Sequence, residues 1–235
     1  MSDIESAYYD ILAEEYYAEL AKEELFKESA LRQCIYLFVE GESEERAFPI
    51  LLQKAGLDIK QLGLVIANYH GSGNLLHCMR LMRRTLSHDR PIIITIDNDV
   101  NGVSFQTKYR ERKIDKDYIF LVPQRPVVTF SNGHMGGSYE EIYPVSLFID
   151  ICFTTDIMQE SILEKRKAFE RSFDPDKPWF GQITKFCYEN GFPEFPDKKV
   201  ELAISLADKC REIPTDIKLL AKLVSEVREK YPIEL

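Results

Sequence analysis

Two runs in the chain, Ile35-Tyr36-Leu37-Phe38-Val39 and Ile92-Ile93-Ile94-Thr95-Ile96, are apolar at nearly every position. A strand with one wet face would alternate apolar with polar, so both runs predict strands buried on both faces with helices on either side. Shorter runs at 62–67 and 118–122 predict two further strands. Between the strands the spacing becomes helical. Ala47, Phe48, Ile50, Leu51 and Leu52 face inward from a helix opened by Ser43; another helix spans 74–87, and a short one 105–113. Strand alternating with helix predicts an α/β fold, Rossmann-like, with a mostly parallel sheet flanked by helices. Ahead of it, Tyr8, Ile11, Leu12, Tyr16 and Leu20 keep three-to-four spacing over 2–29, as one helix or two that pack on the following domain or dock on another chain. The segment 123–138 is rich in Pro and Gly without a period, as in a loop or an inserted hairpin. Beyond 147 the pattern is helical, broken at 174–178 and 191–196, with an amphipathic stretch at 198–209 and a last helix from Pro214 through Lys230. The expected organisation is an acidic helical extension (1–32), an α/β core (33–145) and a mostly helical C-terminal part completing the domain (146–235).

Both long apolar runs stop in acid. The first gives way to Glu40-Gly41-Glu42-Ser43-Glu44-Glu45, the second to Asp97-Asn98-Asp99. In open α/β sheets the carboxyl ends of the strands form the edge where ligands bind. Glu44 lies about one turn into its helix, so its carboxylate can turn back towards Glu40. Asp97 and Asp99, two apart, point the same way from an extended segment. Alone, Glu42, Glu44 and Glu45 would only complement a helix N-terminus, and Asp97-Asn98-Asp99 would only favour a turn before Asn101-Gly102. Two acidic strand ends together are a site for a hard divalent cation.

The pair VEGESEE (39–45) and IDND (96–99) resembles the TOPRIM domain, the metal-binding module of topoisomerases, bacterial primases and several nucleases. The form VEG-x-x-E, with HGSGN (70–74) and GSYEEIYP (137–144), is most similar to the OLD-type (overcoming lysogenization defect) nucleases, over roughly residues 34–145. The resemblance implies two Mg2+ or Mn2+ ions held by Glu40, Glu44, Asp97, Asp99 and Glu140, with Asp97, Asp99 and Glu44 on one ion and Glu40 and Glu140 on the other. It also implies catalytic roles for Glu40 and for a lysine, Lys199, with Lys198 and Lys185 as alternatives. The residues alone do not separate Glu140 from Glu141. The implied activity is metal-dependent hydrolysis of phosphodiesters, in DNA rather than RNA. OLD-type proteins join this module to an ATPase, and no G-x-x-x-x-G-K-[ST] occurs here. A separate ATPase partner gating an effector nuclease in anti-phage or anti-plasmid defence is the expectation by analogy. A non-catalytic TOPRIM-fold sensor or interaction subunit is the alternative.

The chain has 235 residues, 45% of them apolar, enough for a sizeable core. No apolar run reaches membrane-spanning length, and a soluble cytoplasmic protein without a membrane partner is expected. Five cysteines without C-x-x-C spacing point to reduced buried thiols. A net charge of −9 runs against phosphate binding, but residues 1–30 hold nine acids against Lys22 and Lys27, so −7 of it is confined there. Arg80, Arg83 and Arg84 on one helix, and Lys108 and Arg110 on the next, are the candidates for nucleic-acid contact. Gly71 and Gly73 offer backbone N–H groups to a phosphate. A homo-oligomer is left open.

Overall fold

The structure, a computed structural model, describes residues 3–71, 73–112 and 117–234. Helix α1 (Asp3–Arg32) leads into β1 (Ile35–Val39), α2 (Glu42–Lys54) and β2 (Leu64–Asn68). Helix α3 (Leu75–Arg80) continues as a π-helical turn (Leu81–Thr85) and is followed by β3 (Ile92–Asp97), α4 (Val100–Arg112) and β4 (Tyr118–Val122). A small hairpin follows, β5 (Val128–Thr129) against β6 (Met135–Gly136), where the sequence left a loop or hairpin open. The chain ends in helices α5 (Val145–Cys152), α6 (Glu160–Leu163), α7 (Arg166–Ser172), α8 (Trp179–Glu189), α9 (Lys199–Lys209) and α10 (Thr215–Lys230).

The four main strands form a parallel sheet in the order β2-β1-β3-β4. The two apolar runs are therefore the central strands, which is why neither alternates: β1 and most of β3 are buried. The chain steps from β1 to β2 on one side and then returns across β1 to reach β3, so the strand order reverses between β1 and β3. Such a switch point opens a crevice at the carboxyl ends of those two strands, where the acids stand.

One apolar core takes in one face of the sheet, the inner face of α2 and the C-terminal helices together, with Leu37, Leu51, Phe148, Ile183, Leu206 and Val224 all fully buried. A smaller cluster under α3 and α4 covers the other face, with Phe38, Leu75, Ile94 and Phe105. Arg228 ties the last helix to the start of the sheet, its guanidinium donating to the carbonyls of Gln33, Gly63 and Tyr231. The cysteines are free thiols, all buried except the half-buried Cys78.

Helix α1 is a single element. Of the apolar positions assigned to its face, Tyr16 and Leu20 are exposed, while the side chains of Tyr8, Ile11 and Leu12 lie outside the described residues. Its described contact with the core comes at the end, through Ala30. Among the described residues no helix is long and apolar enough to cross a membrane.

Candidate metal and catalytic site

Glu40 follows β1 directly, and its backbone is clasped by the loop after β2: the Tyr69 N–H donates to Val39 O (3.0 Å) and the Gly71 N–H to Glu40 O (2.9 Å). His70 and Gly71 both adopt positive φ (52° and 90°) to bring this loop back. Gly71 therefore shapes the strand end and spends its N–H on Glu40 rather than offering it to a ligand. Gly41 caps α2 in an extended conformation, and one turn on Glu44 folds back and is buried. From β3, Asp97 reaches the same crevice. Glu40, Glu44 and Asp97 line a space that admits about one water, backed by Phe48, Thr95, Ile96 and Val122.

The third acidic element arrives through the hairpin. The Gly137 N–H donates to Asn98 O (3.0 Å), and a Cβ on Gly136 would lie 1.7 Å from the same oxygen, so only glycine lets the hairpin base sit on the aspartate loop. Ser138 then caps a 3-10 turn (Tyr139–Ile142) and Glu141 closes a capping box with it. Glu141 is fully engaged: one oxygen accepts from the Ser138 N–H and hydroxyl (both 2.7 Å), the other from the Trp179 N–H (2.8 Å). Glu140, also buried, has one oxygen 3.0 Å from the Ser138 hydroxyl, whose single proton it shares with Glu141, and faces Lys199 Nζ at 3.5 Å with the other. The structure thus turns Glu140, not Glu141, to the crevice.

Lys199 opens α9, which packs along α2, and its ammonium also lies over the Phe180 ring, 5.2 Å from the centroid. Of the alternatives, Lys198 pairs with Glu201 at 3.4 Å and Lys185 with Glu189 at 3.8 Å, neither of them a crevice acid.

Burial first, and then the neighbouring charges of Glu140 and Glu40, push the Glu44 carboxyl up from 4.5 to about 7, against stabilising contributions from backbone hydrogen bonding and Lys199. Asp97 is raised as well, by desolvation and then by Glu44, Glu140 and Glu40. The Lys199 ammonium is held in its charged form above the usual lysine range, chiefly by Glu140. Glu40, Glu44, Asp97, Glu140 and Lys199 therefore form one electrostatic unit. Such crowding of carboxylates is what an oxygen-seeking divalent cation relieves. Among the described residues no three His, Cys, Asp or Glu side chains are already drawn close enough to cage an ion. Glu140 is occupied by Lys199 and Ser138, so gathering the donors takes side-chain rotation.

Asp99 stands at the margin of this unit, acting on Tyr69 together with the other acids. Its carboxylate accepts from the Gly102 N–H (2.7 Å) at the start of α4, and a Cβ on Gly102 would come within 2.0 Å of the Asp97 carbonyl. The two aspartates thus do different work: Asp97 faces the acids, and Asp99 caps the helix that packs beneath. Tyr69, which the sequence did not single out, is fully buried against the site, its hydroxyl donating to Thr95 O (2.9 Å). Burial and the surrounding carboxylates raise that phenol far beyond its ordinary range, so it serves as a neutral floor and not as a nucleophile.

The arginines correct the sequence reading in part. Arg83 is an ion-pair partner of the fully buried Asp117 carboxylate and donates to the carbonyls of His88 and Arg90, both at 2.7 Å. These residues precede β3 and β4, at the amino edge of the sheet, so Arg83 pins that edge on the side away from the acids and is spent as a nucleic-acid contact. Arg80 and Arg84 are exposed. The side chains of Lys108 and Arg110 lie outside the described residues. Arg125, exposed just beyond the carboxyl end of β4, is a basic group on the acidic edge that the sequence reading passed over.

The burial of Glu44 gives the fold a pH signature. With its carboxyl raised from 4.5 to about 7, the folded chain holds a proton that the unfolded chain releases. Stability attributable to this group is whole below pH 4.5, is lost as pH rises towards 7, and stays lost above it, by about 3 kcal/mol. In EDTA, the stability of Glu44→Gln relative to wild type should therefore climb between pH 5 and pH 8 in urea denaturation. A difference constant across that range would remove the burial argument.

A parallel α/β sheet with carboxylates at the ends of its two central strands is the arrangement that the resemblance to TOPRIM domains implies. The profile of the family described as "Overcoming lysogenization defect protein-like, TOPRIM domain" matches residues 35–99, so the chain carries an OLD-like TOPRIM domain. Its fold is similar to the C-terminal region of the Burkholderia pseudomallei OLD protein, at 14% identity, covering 82% of this chain and 96% of that one, with a TM-score of 0.51. A C-terminal region of the Xanthomonas campestris pv. campestris OLD protein matches at 14% identity over 83% and 96%, with a TM-score of 0.50. At that identity the likeness concerns the fold. No curated protein matched the sequence.

Proposed function

We propose that the protein is a metal-dependent nuclease that hydrolyses phosphodiester bonds. The observation that carries this reading is the single electrostatic unit at the β1/β3 crevice, four carboxylates with one lysine, two of the carboxyls held above their ordinary range. A donor set of oxygens alone suits Mg2+ or Mn2+. Glu40, Glu44, Asp97 and Glu140, with Asp99 at the margin, would hold one or two such ions, which when bound supply an activated water and neutralise a phosphodiester oxygen. Lys199 has the reach and the charge to stabilise negative charge developing on the phosphate. Its ion pair with Glu140 draws it towards the crevice mouth. Tyr69 excludes water from behind, and Arg125 offers a phosphate contact on the same edge.

DNA is the proposed substrate ahead of RNA, and a separate ATPase the proposed gate, with a role in defence against phage or plasmids; these finer points rest on likeness to OLD proteins. The reading is tested with supercoiled and linear DNA and with tRNA, each incubated with wild type and Glu40→Ala in Mg2+, Mn2+ or EDTA. Cutting that needs the metal and is lost in Glu40→Ala supports it. Wild type that neither cuts nor binds either ion in calorimetry sinks it in favour of a non-catalytic role. Unaided cutting at full rate removes the gate alone.

A further inference from the structure

We propose that Phe180 is a positioning residue for Lys199, holding its ammonium at the mouth of the acidic crevice through the face of its ring. This rests on the role proposed above for Lys199. The lysine needs a second hold. Its side chain is 40% exposed, and an ion pair of 3.5 Å to Glu140 at a wet surface is weakened by solvent and does not fix a four-carbon stem.

The second hold is built into the fold. Phe195 is fully buried and opens the 3-10 turn (Phe195–Lys198) that runs straight into α9. Lys199, the first residue of α9, follows it four residues later. Both meet Phe180: the Phe195 ring lies 5.8 Å from it, centroid to centroid, and the Lys199 ammonium 5.2 Å. Behind them Phe192 packs edge-on against Phe195 at 6.0 Å. Phe180 itself is placed by its neighbour Trp179, whose backbone N–H is bound by Glu141 from the turn that presents Glu140. The acid and the base of the 3.5 Å pair are thereby referenced to one point on α8. A ring attracts a cation over its face, and the attraction grows when water is partly excluded.

The experiment compares Phe180→Leu and Phe180→Met, which keep bulk without a ring, with Phe180→Tyr, which keeps the face. Two readouts are taken on the full chain. The first needs no catalysis: lysines are reductively 13C-methylated, which preserves their charge, and the Lys199 resonance is assigned by its absence in Lys199→Ala. In wild type and Phe180→Tyr it should be shifted upfield by the ring, and the shift should vanish in the Leu and Met variants. The second is cleavage under metal saturation. Phe180→Leu should lower kcat by about three- to tenfold with KM unchanged, Phe180→Tyr should restore it, and Phe180→Leu should have no further effect in a Lys199→Ala background. A Lys199 resonance unshifted in wild type, or losses that multiply in the double variant, would overturn the proposal. If wild type neither cuts nucleic acid nor binds either ion, the nuclease reading falls while the resonance still decides the place of Phe180.

Discussion

Asp97→Ala should reduce metal-dependent cleavage by about a thousandfold or more, yet leave the metal-free protein at least as stable as wild type. The two halves of this expectation come from one fact. Asp97 stands at the end of a buried central strand, facing Glu44, Glu140 and Glu40, and its carboxyl is forced up because the folded chain resists a further negative charge there. A group that folding disfavours in its charged form is retained for some purpose other than folding. Removing it relieves repulsion in the unit while taking away a ligand to the proposed metal. Asp99→Ala should show the reverse emphasis, because its carboxylate caps α4 at 2.7 Å and a lost cap costs about 1 kcal/mol. Cleavage rates with Mn2+, set beside thermal melts in EDTA, check both variants. An Asp97→Ala protein that melts well below wild type in EDTA, with activity falling only in proportion, would make the aspartate a structural residue and void the assignment.

The central sheet was legible because burial removes alternation. Residues 35–39 and 92–96 are apolar on both faces since helices cover both, and each ends where the crevice begins. Their acidic ends could be read only as a pair, since either one alone has a bland explanation in a helix N-terminus or a turn. The extents of helices were less legible. The short helix expected over 105–113 starts at Val100, because Asp99 caps it, and a capping side chain looks the same in sequence as a metal ligand. The role of Arg83 was hidden too. Its spacing with Arg80 and Arg84 suggested one charged face, but its partner Asp117 is distant in sequence and meets it only when β3 and β4 pair. Likewise nothing in the spacing of Trp179 and Phe180 reveals that one lends its N–H to Glu141 and the other its ring to Lys199. Contacts between elements far apart in the chain leave no local period. The choice between Glu140 and Glu141 did have a local signal, and it went unused: Ser138-x-x-Glu141 has the spacing of a capping box, which commits Glu141 to the turn.

That pair yields the second large expectation. Glu141→Ala should destabilise the protein by about 3 kcal/mol, whereas Glu140→Ala should change stability little and abolish cleavage. Glu141 accepts three hydrogen bonds in a buried setting, two from Ser138 and one from Trp179. Truncation leaves the Trp179 and Ser138 N–H groups buried without an acceptor, at about 1–3 kcal/mol for each such group. It also separates the turn that carries Glu140 from the start of α8. Glu141→Gln isolates the electrostatic share: an amide oxygen can still accept from Trp179, but the amide nitrogen would meet the Ser138 N–H as donor against donor. It should therefore fall between wild type and alanine. Glu140, by contrast, has one shared hydroxyl and one ammonium for company, and its removal leaves Lys199 without its ion-pair partner, a cation with 40% of its side chain in solvent and with Glu44 and Asp97 still acting on it. Urea denaturation in EDTA separates the two residues directly. If Glu140→Ala proves the more destabilising, Glu140 is holding the fold through Lys199 and α9, and the crevice loses its third acid as a functional group.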